Sequence, residues 1–379
     1  MTITRDAIVD VLSGLVAAPS VNPSIAPGEG GGETKVAGFA RDWLATHGVR
    51  AWLEEAAPGR PNVVAEIGDD KGPALVLCAH LDTVGTEGMT IPPFEARVEG
   101  ERLYGRGAYD MKGSAAAIMV AMASMAATPS AGRVMAALVS DEEYASLGAF
   151  DFVRRHRADA CIVTEPANGD LVLAHKGFVW IDIVTRGRAA HGSRWDMGVS
   201  AIGKMGPIIS ALEEFDRTEL RGRTHPLVGP ASLHCALISG GSGLSTYAAE
   251  CRLQVERRTL PGETADQVRA ELETVVRQTG QEAVVCTTFA RDACVCDANA
   301  RVVAVVREAV TEVVGQPPRE AGVGFWMDAA VFAAEGVPTV NYGPRGEGAH
   351  AAVEWVDIDS CTQLAHILAR AARQFAAGA

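Results

Sequence analysis

The chain has 379 residues, 48% of them hydrophobic and 21% charged, with a net charge of −13. That length sets an expectation of two domains with sizeable cores. The acidic balance, with no Lys/Arg block, excludes nucleic acid and an anionic membrane surface as expected partners.

Residues 6–18 carry apolar side chains at helical spacing (Ile8, Val11, Leu12, Leu15, Val16) and predict an amphipathic helix that Pro19 and Pro23 stop. A glycine-rich loop at 27–32 leads to a second helix over 33–48. Strands are expected at 49–53 and 62–67. The central strand is expected at 74–79, a continuous apolar run that delivers His80 and Asp82 to a sheet edge. A neutral imidazole there can bind a metal, and a nearby carboxylate can orient it. Segments 94–99 and 102–104, separated by Gly100, suggest a hairpin. A turn-rich loop carrying Asp110 then opens a small-residue helix to about 127.

Strand 133–139 ends in Ser140-Asp141-Glu142-Glu143, helix 147–156 follows, and strand 160–163 ends in Thr164-Glu165-Pro166. Three apolar strands therefore end in acidic or histidine residues, and in open α/β sheets sites form beyond the carboxyl ends of strands. After His175-Lys176-Gly177 the pattern changes. Strand 178–185, helix 199–215, strands 231–238 and 248–257, helix 265–279 and strand 282–290 read as a small inserted α+β sandwich. Helix 300–315, strand 337–342, a glycine-rich loop with His350, and helix 361–377 complete the chain.

The eight cysteines lack zinc-site spacing, and several sit within apolar runs, so free thiols in a reducing compartment are expected. The start of the chain lacks a basic region leading into an apolar stretch. The longest apolar run, near 115–127, is too short to span a bilayer, so a cytoplasmic location is expected.

His80, Asp82, Asp110, Glu142, Glu143, Glu165 and His350 collect at the strand ends of the larger, discontinuous domain. Imidazoles with carboxylates suit zinc, manganese or cobalt. Two histidines and three carboxylates fit a two-metal site: two divalent ions, three carboxylates and a bridging hydroxide sum to zero charge, provided Glu142 stays unligated. Taken singly, each residue has a plainer role: Asp110 as a helix cap, Glu142–Glu143 as a solvated pair, and His350 as a loop histidine.

These motifs resemble a known family. Ala79-His80-Leu81-Asp82-Thr83-Val84, Gly105-Arg106-Gly107 with Asp110-Met111-Lys112-Gly113, Asp141-Glu142-Glu143, Thr164-Glu165-Pro166, His175-Lys176-Gly177 and Gly348-Ala349-His350 are similar in order and spacing to the di-zinc amidohydrolases and metallopeptidases of the acetylornithine deacetylase, succinyl-diaminopimelate desuccinylase, aminoacylase and glutamate carboxypeptidase family. The resemblance implies an α/β fold. A discontinuous zinc-peptidase-like catalytic domain (1–174 and 292–379), with a mixed central sheet flanked by helices, would carry an inserted α+β ferredoxin-like dimerisation or lid domain (175–291).

It further implies two divalent ions, zinc or alternatively cobalt or manganese, bridged by Asp110. His80 and Glu165 would complete one metal, and Glu143 and His350 the other. Asp82 would orient His80, and Glu142 would be general base toward a metal-bridging hydroxide that attacks an amide. His191 would enter the partner subunit's site of a homodimer and stabilise the oxyanion. Arg258 would bind a substrate carboxylate. Arg257 is read as a surface charge.

Some positions depart from the family. Ser245 stands where relatives carry asparagine, and Trp195 stands where proline is common; both are candidate substrate contacts. Val353 occupies a position often acidic or amide in relatives, and Asp328 is an outer-shell candidate. In the family it resembles, glutamate at the Glu165 position is typical of deacylases and aspartate of many peptidases, so the resemblance implies deacylation of an N-acyl amino acid; a dipeptidase or carboxypeptidase of the same family, or a non-catalytic binding paralogue, is the alternative. The expected ligand is a small N-acyl amino acid or dipeptide.

Overall fold

The computed structural model describes residues 1–29, 31–69, 71–128 and 132–378. Gly30 of the expected 27–32 loop and Ala379 at the end of the expected 292–379 segment lie outside them. In chain order the elements are α1 (Arg5–Ala17), α2 (Thr34–Thr46), β1 (Arg50–Ala57), β2 (Arg60–Ile67), β3 (Ala74–His80), β4 (Arg97–Glu99), β5 (Arg102–Tyr104), a helical turn at Ala108–Lys112, and α3 (Gly113–Met125). Next come β6 (Arg133–Val139), α4 (Leu147–Arg155), β7 (Ala160–Val163), β8 (Leu171–His175), β9 (Gly177–Arg186) and α5 (Ala201–Thr218). The short β10 (Thr224–His225) and β11 (Gly229–Pro230) precede β12 (Ser232–Gly240), β13 (Glu250–Thr259), α6 (Ala265–Gln278), β14 (Ala283–Arg291) and β15 (Cys294–Val295). The chain closes with α7 (Arg301–Val314), β16 (Glu320–Val323), α8 (Ala329–Ala334), β17 (Thr339–Asn341), β18 (Gly346–Glu347), β19 (Trp355–Asp357) and α9 (Ile358–Ala376).

The chain divides into two compact units. The first comprises Met1–Leu173, Cys296–Ala321 and Met327–Ala379; the second comprises Ala174–Val295 and Gly322–Trp326. In the first, a mixed sheet runs β1-β2-β6-β3-β7-β17-β8. Strands β6, β3, β7 and β17 are mutually parallel; β2 and β8 join them antiparallel, and β1 pairs antiparallel with β2. β3 is central and buried along its whole length, which is why it reads as an unbroken apolar run. Its fully buried Leu75, Val76 and Leu77 each contribute roughly 1.5–3 kcal/mol by leaving water.

Helices α1, α2, α3, α7 and α9 form one contiguous layer, and α4 and α8 another. In α3 every residue but Ser124 is buried, as befits a helix of small and apolar residues with no polar face. α1 starts where Thr4 accepts from the Ala7 amide (3.2 Å). α9 starts at Ile358, earlier than the sequence suggests, because Asp357 caps the Ser360 amide at 2.6 Å. Strands β8, β16, β18 and β19 escaped the periodicity reading: at five residues or fewer, alternation gives too few repeats to register. β18, β19, β5 and β4 form a separate antiparallel sheet, with the expected turn at Gly100 between β4 and β5 (φ 59°).

The second unit is a four-stranded antiparallel sheet in the order β12-β13-β9-β14. Helices α5 and α6 touch each other and the strands. The sequence β9-α5-β12-β13-α6-β14 with this order is the split β-α-β arrangement. Val179, Ile181 and Ile183 of β9 pack with Leu212, Leu253, Val255 and Leu272 in its core. Gln267 and Thr264 make reciprocal capping bonds at the start of α6.

Candidate metal centre

The parallel strands β6, β3 and β7 end side by side: His80 lies opposite Val139, and Cys78 opposite Val163. Their next residues carry Glu142, Glu143 and Glu165 to one edge. Asp110 arrives from the helical turn after β5. His350 arrives from the loop between β18 and β19, and pairing of Trp355 with Tyr104 aligns those two segments.

The side chains converge. His80 Nε2 lies 3.1 Å from Asp110 Oδ1 and 3.6 Å from Glu165 Oε1. His350 Nε2 lies 3.2 Å from Asp110 Oδ2 and 3.1 Å from Glu143 Oε2. Asp110 thus faces both imidazoles, one oxygen to each. Two sets of donor atoms come within 4.8 Å of one another: His80 with Asp110 and Glu143, and His80 with Glu142 and Glu165. Glu142 thus reaches the same edge as His80 and Glu165.

Asp82 is placed differently from the expectation. The His80 Nδ1–H donates to the Asp82 backbone carbonyl at 2.9 Å, while the Asp82 carboxylate is 3.6 Å away. That hydrogen bond puts the proton on Nδ1 and leaves Nε2 as the nitrogen turned to the carboxylates. The Asp82 carboxylate instead accepts the Glu142 and Glu143 amides, each at 3.1 Å, and the Asn22 side-chain amide at 2.7 Å. Asp141, left-handed at φ 69°, a conformation aspartate tolerates, directs those two amides. Its own carboxylate accepts from Asn22 (3.0 Å) and Arg60 (2.8 Å). Arg60 is itself held by both oxygens of Glu33, at 2.7 and 2.6 Å.

A second buried carboxylate supports Asp110. Glu354 Oε2 accepts from Arg106 Nη1 (2.7 Å) and the Gly107 amide (2.9 Å), and Oε1 from the Tyr109 and Asp110 amides (3.0 Å each). Val353 departs from the acid or amide that the resemblance implies at its position. Val353 is exposed, and the acid is its neighbour. Asn22, Glu33 and Arg60 also went unrecognised, for their partners lie far along the chain.

The electrostatics follow from crowding carboxylates in a dry place. Burial, then the Glu165 charge, raise Glu142 well above the carboxylate range. Burial, then Asp110, raise Glu143. Glu165 is raised well above its usual range by burial, against the pull of His80. Burial also raises Asp110, but hydrogen bonds to His350 and His80 carry it below the usual range. Burial opposes charge on His80, yet Glu165, Asp110 and Asp82 hold its pKa well above the imidazole value. Hydrogen bonds to Asp110 and Glu143 push His350 up to about 10. Buried Asp328 adds negative charge felt by Glu142 and Glu165. Carboxylates that retain protons this way are short of positive charge, and the nitrogen and oxygen donors gathered here are those divalent cations take.

The remaining candidates belong to the second unit. Ser193 Oγ lies 2.8 Å from His191 Nδ1, and the Ser193 amide donates to the same nitrogen at 3.3 Å. Nδ1 is thus the acceptor, and Nε2 carries the proton. The Ser245 carbonyl accepts the Gly192 amide at 2.7 Å, and Trp195 is 81% exposed. Arg258 Nε donates to Glu256 at 2.7 Å. Arg257, expected at the surface, is 0% exposed and pairs with Glu263 at 2.6 Å: on β13 the alternation turns it inward.

An acetylornithine deacetylase of Myxococcus xanthus is 30% identical over 345 residues, covering 86% of this chain and 87% of the relative. One of Vibrio cholerae is 29% identical over 282 residues, covering 73% and 74%. The fold is similar to that of a tripeptidase from Staphylococcus aureus, with a TM-score of 0.79 and 21% identity over 99% of this chain and 100% of that one. Residues 76–374 match peptidase family M20/M25/M40. Because that span takes in every residue gathered at the strand ends from His80 to His350, the chain belongs to this family and is a hydrolase of its amidohydrolase and peptidase group.

Proposed function

We propose that this chain hydrolyses the amide bond of an N-acyl amino acid at a two-cation centre. The observation that carries the proposal is the convergence of His80, His350, Glu143 and Glu165 around Asp110, with Glu142 beside them. Asp110 would bridge two divalent cations, with His80 and Glu165 on one and Glu143 and His350 on the other. Zinc suits the donors best, and cobalt or manganese would also be accepted. When bound, the cations would polarise the amide carbonyl and acidify a water.

The chain's own residues do the rest. Glu142 takes the proton of the attacking water and delivers it to the departing amine. Its burial and the neighbouring Glu165 raise its pKa, which suits a carboxylate that must both accept and return a proton. Asp82, through two amides, keeps Glu142 and Glu143 turned as a pair. Its carbonyl fixes the His80 tautomer.

The proposal includes a homodimer formed through the second unit, with His191 serving the partner subunit's centre. His191 Nε2–H is the donor a developing oxyanion needs. Ile238 on edge strand β12, 56% exposed, supplies apolar surface for such contact. Arg258 would bind the substrate carboxylate, and Ser245 and Trp195 would touch substrate. A cytoplasmic location is proposed on the sequence, whose eight cysteines lie scattered and several of them within apolar runs; no helix among the described residues is long and apolar enough to cross a membrane.

Deacylation is favoured over peptide hydrolysis by the deacetylases among the relatives and by glutamate at position 165. The test is kcat/KM on N-acyl amino acids and dipeptides with zinc, cobalt or manganese. Acyl substrates are expected to be faster; preference for dipeptides would overturn the reading.

A further inference from the structure

The sheet of the second unit has one face turned from its core. On β9, Val179, Ile181 and Ile183 point into the core, so Phe178 and Trp180 point to the other side. In register, Phe178 lies between Arg258 of β13 and Arg291 of β14. Trp180 lies between Glu256 and Phe289. Trp326 joins them, its ring perpendicular to Phe178 at 6.5 Å. Rings 180 and 289 are 5.3 Å apart and rings 178 and 289 are 5.9 Å apart, within the range of favourable aromatic pairing.

This surface is organised by charge as well. Glu256 accepts from Arg258 Nε with one oxygen (2.7 Å) and from the Trp180 indole with the other (2.9 Å). One carboxylate thereby fixes a guanidinium and an indole together. The Arg258 guanidinium lies over Phe178 (5.3 Å), and the Arg291 guanidinium lies over Phe289 (4.2 Å). Arg258 has two further nitrogens in the planar fork that matches a carboxylate. Beside Trp180 an open hollow of about 320 Å³, lined by Asp182, His234, Ala236, Leu237, Gln254 and Glu256, exceeds the ~150 Å³ that encloses a benzene ring; its two carboxylates are already paired, Asp182 with Arg252 and Glu256 with Arg258.

We propose that this face is the subsite for an N-acylated aromatic amino acid, with its carboxylate on Arg258 and its ring against Trp180 and Phe289. The proposal rests on the assignment of Arg258 to the substrate carboxylate and narrows the substrate class. A cationic side chain such as that of ornithine meets the wrong chemistry here. Arg258 lies over Phe178 and Arg291 over Phe289 and Trp326, and their two charges repel a third cation. An apolar ring gains from burial and from ring contact.

Calorimetric titration of the full-length, metal-free chain tests this without turnover. N-acetyl-L-phenylalanine is expected to bind at least tenfold more tightly than N-acetyl-L-ornithine, and Trp180→Ala and Arg258→Ala each to weaken it tenfold or more. Phe289→Leu, a milder change, is expected to weaken it severalfold and serves if circular dichroism shows Trp180→Ala unfolded. Equal or tighter binding of the ornithine derivative, or unchanged affinity in folded variants, overturns the proposal. Selective aromatic binding without hydrolysis in any metal would uphold this subsite and sink the proposed function. Hydrolysis that prefers N-acetyl-L-ornithine would do the reverse.

Discussion

Glu354 lies outside the proposed ligand set, yet its removal is expected to dismantle the Asp110 segment. Its two oxygens accept four donors: Arg106 and the Gly107, Tyr109 and Asp110 amides. A carboxylate offers about four lone-pair sites, so none is spare. Glu354→Ala leaves a buried guanidinium and three amides without their acceptor. Breaking one buried ion pair costs about 3–5 kcal/mol, and the amide losses overlap with it because the groups form one network. The expected destabilisation is therefore about 3–5 kcal/mol, a large share of the ~5–15 kcal/mol that holds a typical protein folded.

Glu354→Gln is more informative. Its carbonyl oxygen serves one pair of donors, but its NH₂ confronts the other pair. The expected cost is about 1–3 kcal/mol, with a ~10–100-fold loss of metal affinity as Asp110 shifts. Urea unfolding and a competitive zinc titration measure the two effects. A Glu354→Gln protein with unchanged urea midpoint and zinc affinity would refute the assignment.

Two further perturbations probe neighbouring groups. Burial lowers Lys112 to about 7 from an ordinary 10.5, so between those values the unfolded chain binds the extra proton. Stability then rises with pH across roughly 7 to 10.5, by an amount on the order of 5 kcal/mol; Lys112→Met is expected to flatten that rise in denaturant titrations, and a parallel profile would contradict it. A Cβ on Gly343 would collide with the Glu165 carbonyl. Gly343→Ala is thus expected to displace Glu165 and weaken zinc binding at least tenfold, and retention of normal affinity would show the strand end yields freely.

What was legible in the residues was local. The strand ends at His80, Glu142–Glu143 and Glu165 could be read because each acid follows directly on an apolar run. Glu354 could not, because its function is set by backbone amides some 245 residues earlier in sequence. Asn22 and Arg60 escaped for the same reason: each acts through Asp141, on another element. Arg257 misled because a charged residue beside Arg258 reads as surface, whereas strand alternation buries one of two neighbours and Glu263 compensates it. Asp82 was singled out for its carboxylate, but orientation of His80 comes from its carbonyl, which any residue possesses. The side chain matters for the two glutamate amides it holds.

The most direct measurement is steady-state hydrolysis by Glu142→Gln, with metal content determined on the same sample. Glutamine preserves the shape of Glu142 and the hydrogen bond that its backbone N–H donates to Asp82, but it cannot take up a proton. The account predicts two divalent ions per chain in both proteins and a loss in kcat of about 10²–10⁴-fold in the variant. Hydrolysis at the wild-type rate with both metals in place would contradict it.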